Sequence, residues 1–180
     1  MNTNVILEKF ESLAMDYVNE LEKYSLEQFT KKPSEDEWSL GQMYNHLLAA
    51  TSRQLDAIAE CTTGSATIDG KKTEMGEKVY KVGAFPPIQI KLPNRPGSKP
   101  ENPTDKEEIK QALLQLIEKM KEVEPKLSSI PNNYKVEHPG LGYLNAVEWF
   151  QLIYMHFAHH LRQKERLEQS MVLKYSLFRD

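Results

Sequence analysis

The 180-residue sequence has one cysteine, Cys61, which excludes an internal disulfide and a cysteine-built zinc site. It has no surplus of positive charge. Lys plus Arg number 23 against 26 Asp plus Glu, a net charge of −3, so nothing in the balance draws the chain to nucleic acid. It has no long apolar run, because the richest stretch, Phe150 to Ala158, is broken by His156 and falls far short of a membrane span. The opening Met1-Asn2-Thr3-Asn4-Val5 shows neither the basic leader nor the apolar segment of an export signal. Eight Gly and ten Pro are too few for a collagen-like or low-complexity chain. These absences predict a soluble, cytoplasmic protein that binds neither nucleic acid nor membrane. What is present, 39% hydrophobic and 27% charged residues, suits one domain over residues 1–180.

Apolar periodicity then predicts four helices. From Val5 to Phe29, Ile6, Phe10, Leu13, Tyr17, Leu21 and Tyr24 recur at spacings of three and four, and Pro33 ends the segment. Ser39 and Gln42 have the spacing of a capping box, which predicts a second helix from about Leu40 to Cys61, stopped by Gly64. Residues 64–103 form a long crossover whose second half is crowded with prolines, with room for a short extended segment at Ala84 to Leu92. Thr104 and Glu107 predict the start of a third helix, with Ile109, Leu113, Leu116, Ile117 and Met120 inward and an end near Pro125. Asn145 and Glu148 open a last helix running to roughly Glu168, followed by an apolar tail at 171–180 that docks on the bundle or pairs with a second chain as a homodimer. The fold class expected is all-α, a four-helix bundle whose long second connection lets helices 2 and 3 run the same way.

The unusual chemistry lies in five histidines. His156 and His160, at i and i+4, lie on one helix face and reach a common point. A third nitrogen must come from elsewhere, and His46 is the other histidine inside a predicted helix. Three neutral imidazoles with an open position are the ligand set of a catalytic zinc-type site, which nickel, iron or manganese also fit. An i,i+4 pair alone is a modest signal, and a lone helical histidine such as His46 is ordinarily a hydrogen-bonded core or boundary residue. His159, about 60° from His156 and about 100° from His160, points elsewhere unless an i,i+3 pair with His156 forms instead. His138, in His138-Pro139-Gly140, reads as a turn residue. Phe157 stands where a thermolysin-like protease needs a glutamate, which excludes that mechanism.

The run His138-Pro139-Gly140-Leu141-Gly142-Tyr143-Leu144-Asn145-Ala146-Val147-Glu148-Trp149-Phe150, followed by His156, His160 and Gln163, resembles the C-terminal signature of the DinB/YfiT-like superfamily. The Trp38-Ser39 pair leading into a helix with His46 resembles that family's second-helix motif. The resemblance implies an up-down-down-up bundle and one divalent metal, zinc or nickel foremost, on His46, His156 and His160. It also implies a metal-dependent hydrolase or a thiol S-transferase, the bacillithiol transferases included. Leu161 departs from members that carry Arg after the last ligand histidine, so an anion contact made there is not expected.

Three neutral ligands leave the metal's double charge intact, which acidifies a water for hydrolysis or a thiol for attack on an electrophilic carbon. The family tilts the expectation to S-transfer, with a small-molecule electrophile and a low-molecular-weight thiol as partners. A bundle that binds metal or ligand without catalysis is the alternative. Gln163 could hold a ligand imidazole in its working tautomer, as could Gln42, and each has an ordinary surface or capping use as well. Arg53 and Arg162 could meet an anion or simply be solvated. Met43, Met120, Met155 and Cys61 read as packing.

Overall fold

The computed structural model describes residues 2–63, 65–87 and 99–176, without the side chains of 171–176. Helix α1 (Thr3–Glu20) is capped by the Asn2 side chain and buries Ile6, Phe10, Leu13, Ala14, Tyr17 and Val18. The sequence predicted this helix to continue to Phe29. It ends instead in a 3-10 turn (Leu21–Lys23), and a short helix α2 (Leu26–Thr30) begins afresh. The cause is a second capping box. The Ser25 side chain accepts from the Gln28 backbone N–H, and the Gln28 side chain accepts from Ser25, so the chain turns extended at Ser25.

Helix α3 (Leu40–Glu60) starts at the expected Ser39–Gln42 box. The predicted stop, Gly64, lies outside the described residues. The crossover holds more order than expected, with a two-residue strand β1 (Thr67–Ile68) and helix α4 (Glu74–Val82). Thr73 caps α4, acids fill its first turn, and Gly83 closes it at φ +74°. The expected extended segment at Ala84 to Leu92 lies partly outside the described residues, and 84–87 form no strand. Helix α5 (Lys106–Val123) is capped by Asp105 rather than Thr104, because the Asp105 carboxylate accepts from the Glu107 N–H at 2.9 Å. A 3-10 turn carrying Pro125 follows it (Glu124–Ser129).

The all-α expectation needs a second correction. Strands β2 (Tyr134–His138) and β3 (Gly142–Asn145) pair antiparallel, with Val136 opposite Leu144, and β1 adds to the other side of β2. Gly142 makes the crossover's approach possible. At φ +76°, a Cβ there would sit 2.6 Å from the Thr73 backbone nitrogen. Helix α6 (Ala146–Ser176) opens on the reciprocal bonds of Asn145 and Glu148 and runs past the predicted Glu168 into the tail.

The structure is thus mostly helical with one small sheet. Helix α6 packs on α3 and α1, and α5 packs on α1 and α3. Phe10, Tyr17, Phe29, Tyr44 and Phe157 meet edge to face at 5.1–5.4 Å in the core. The Tyr17 hydroxyl donates to the Phe157 carbonyl and the Tyr44 hydroxyl to the Tyr17 carbonyl, which fixes α1, α3 and α6 to one another. Among the described residues no helix is long and apolar enough to cross a membrane.

Candidate metal centre

His46 sits on α3 two turns past its N-terminus, and that end is held from several directions. Gln42 accepts from the Ser39 N–H and donates to the Pro100 carbonyl at 2.7 Å, while Asn45 donates to the Glu101 carbonyl at 2.9 Å. Ser39 also bonds Asn102, which donates to the Thr30 carbonyl. Both ends of the Gln42 amide are engaged there, so Gln42 orients the helix start and makes no bond to His46. The Trp38 ring lies 5.0 Å from that of His46, limiting its freedom.

From α6, His156 and His160 project towards the same point. His156 Nε2 lies 3.2 Å from His46 Nε2 and 3.1 Å from His160 Nε2. One ligand nitrogen of each ring falls within 4.8 Å of the others, and no carboxylate belongs to the cluster among the described residues. Ligands at the usual zinc–nitrogen distance in tetrahedral array stand about 3.3–3.4 Å apart, close to the two short separations.

The protons sharpen this geometry. Gln163 Oε1 lies 2.7 Å from His160 Nδ1, and an amide oxygen only accepts, so His160 carries its proton on Nδ1 and offers a lone pair at Nε2. Burial pushes the pKa of His46 and of His160 down to about 4, helped at His46 by Arg53 and at His160 by His46 and His159, with the Gln163 bond acting the other way. Burial, and then the neighbouring imidazoles, pushes His156 well below the usual range. All three rings are therefore neutral near pH 7. In that state one proton serves only one of the two short contacts well, and with that proton on His46 the contact between His156 and His160 sets two lone pairs face to face. His156 Nδ1, buried, has no hydrogen-bond partner either. A cation among the rings removes the repulsion by accepting all three lone pairs, so the donor set fits a divalent metal.

The remaining sequence candidates lie outside this cluster. His159 rests against Phe85 at 5.4 Å and His160 at 5.5 Å between ring centres. His138 occupies the hairpin turn, its Nδ1 accepting from the Gly140 and Leu141 N–H groups. Glu148 caps α6 and pairs with Lys72. Met43, Met120 and Met155 are buried in the core. Cys61 is fully buried, and burial pushes its thiol up to about 11, which suits packing and not nucleophilic attack. Sequence reasoning passed over the strap at 100–102 that holds the start of α3. Its signal, Pro100-Glu101-Asn102-Pro103, reads as ordinary loop until the partners on α2 and α3 are known.

The sequence model of the DinB superfamily matches residues 9–163, a span that includes all three histidines and both sides of the crossover. The chain belongs to the DinB superfamily. Among curated proteins, none matches it.

Proposed function

We propose that this protein is a metal-dependent thiol S-transferase of the bacillithiol type, acting on small electrophiles. The observation that carries the reading is the convergence of three neutral imidazoles, one of them locked in its metal-binding tautomer by Gln163. A divalent cation, zinc or nickel, held by His46, His156 and His160 keeps its full double charge and supplies acidification of a thiol placed against it. The chain's own residues bind, orient and exclude water. Burial keeps the rings unprotonated, Gln163 aims His160, and Trp38 closes one side of His46.

Among the described residues no acid joins the cluster, and the choice of a thiol over water as the nucleophile rests on the family resemblance. A divalent cation on three neutral ligands would bring either nucleophile into the physiological range, a free thiol ionising at about pH 8.5 and a zinc-bound water at about 7. The reading takes the four long helices as an up-down-down-up bundle, a topology supported by the packing of α6 and α5 each on both α1 and α3. It is tested by restoring zinc or nickel to the metal-free protein and following loss of a model electrophile. Thiol-dependent consumption that tracks bound metal is the expected result. Consumption of water-labile substrates without thiol would replace S-transfer with hydrolysis.

A further inference from the structure

Consecutive residues of the strap, Pro100 to Pro103, each meet the first turns of α3 ahead of His46. The Pro100 carbonyl accepts from the Gln42 side-chain amide at 2.7 Å, and the Glu101 carbonyl from the Asn45 side-chain amide at 2.9 Å. Asn102 accepts from the Ser39 hydroxyl and donates to the Thr30 carbonyl at 3.1 Å, which ties the end of α2 to the cap of α3. Pro103 packs on Gly41, where a Cβ would stand 2.5 Å from the proline Cδ, so only glycine lets the strap approach this closely.

These contacts fall on one flank of the helix. At about 100° per residue, Gln42, Asn45 and Gly41 lie about 40°, 100° and 140° round α3 from His46 in one direction. Met43, Leu47, Leu40 and Tyr44, all buried, lie about 60° to 160° round in the other. His46 therefore emerges between a flank fixed by apolar packing and a flank fixed by the strap. Its Nε2 stands 3.2 Å from that of His156, across the seam with α6. A side-chain atom at the helix surface lies about 6 Å from the axis, so a rotation of about 10° moves it about 1 Å. A metal–nitrogen bond holds its length to about 0.2 Å, so even a small turn of α3 is large for a metal. Apolar contacts are non-directional, whereas the strap's hydrogen bonds favour one angle of the helix.

We infer that the strap is a positioning element of the metal centre. Through it, Gln42, Asn45 and Asn102 set the rotation of α3 that presents His46 Nε2 to the cation, and strap docking and metal binding favour each other. The inference rests on reading the three histidines as a metal site. By linkage, the factor by which the docked strap tightens metal binding is the factor by which metal tightens the strap.

The test uses zinc as probe and the full chain. Asn45→Ala combined with Asn102→Ala removes the bonds to Glu101, Ser39 and Thr30 from positions that are not buried, and alanine suits a helix at 45. The pair should weaken zinc about tenfold in competition with a chelator, at a temperature well below the melt. A merely structural role lowers the melting temperature of the metal-free protein and leaves that affinity unchanged. In the wild type, zinc should slow cutting after Glu101 by a glutamate-specific protease about tenfold, because cleavage follows the undocked fraction. In His46→Ala, zinc should leave that cutting unchanged. Equal zinc affinity in the double variant and the wild type, cutting that zinc does not slow, or equal slowing in His46→Ala would each overturn the inference and leave the metal centre standing. A wild type that takes up no zinc would overturn both.

Discussion

His160 shows how one neighbour sets a side chain's chemistry. Its Nδ1 proton is committed to Gln163, so its Nε2 is free to bind, and removing the amide leaves the ring able to turn or change tautomer. Gln163→Leu should weaken divalent metal binding about 10–100-fold in competition with a chelator, with unchanged helical content. The same three rings make stability pH-dependent. His46 and His160 hold their folded-state pKa near 4, below the ordinary 6.5 of an unfolded histidine. Between those values the unfolded chain binds more protons, so stability falls as pH drops from about 6.5 towards 4 and is level above that window. Thermal melts of metal-free protein across that range should show the fall, and His46→Gln should flatten it. A flat profile in the wild type would show that the rings are not held neutral by the fold.

At the scale of elements, the parts that could be read ahead were those whose caps and periods agree. The Ser39–Gln42 and Asn145–Glu148 boxes each mark a helix start that the structure contains. The break at Ser25 carried the same signature, but the apolar spacing of Leu21 and Tyr24 continued across it and hid the turn. Helix α4 was announced by Thr73, acidic Glu74 and Glu77, and Gly83, and was obscured by the prolines that follow. The β2–β3 hairpin is short, and its register depends on contacts with residues 67–72 that no local pattern reveals. Gly142 is where those segments meet. Gly142→Ala forces a side chain into a left-handed backbone against the Thr73 nitrogen, and should cost about 1–3 kcal/mol by denaturant melt while increasing cleavage in residues 65–87. Helix α6 continues through Ser176, so truncation after Glu168 removes two turns of helix. It should lower the melting temperature or change the oligomeric state, and a variant unchanged in both would show the end of α6 to be dispensable.

For the molecule as a whole, the decisive contact joins residues 110 apart in sequence. Spacing on α6 paired His156 with His160, but nothing local to α3 says that His46 faces them. His46 was reached as the remaining histidine inside a predicted helix, the family resemblance pointed to the same residue, and the packing of α3 on α6 supplies the physical basis. The role of Gln42 was open in the sequence because its carbonyl partner, at Pro100, appears only when distant segments are placed, whereas His138 sits in the turn where its His138-Pro139-Gly140 context put it. The most direct measurement is the divalent metal content of the purified full chain and of its His160→Ala and His138→Ala variants. The account predicts one ion per chain in the wild type and in His138→Ala, and loss of stoichiometric metal in His160→Ala. Equal metal content in the wild type and His160→Ala would contradict it.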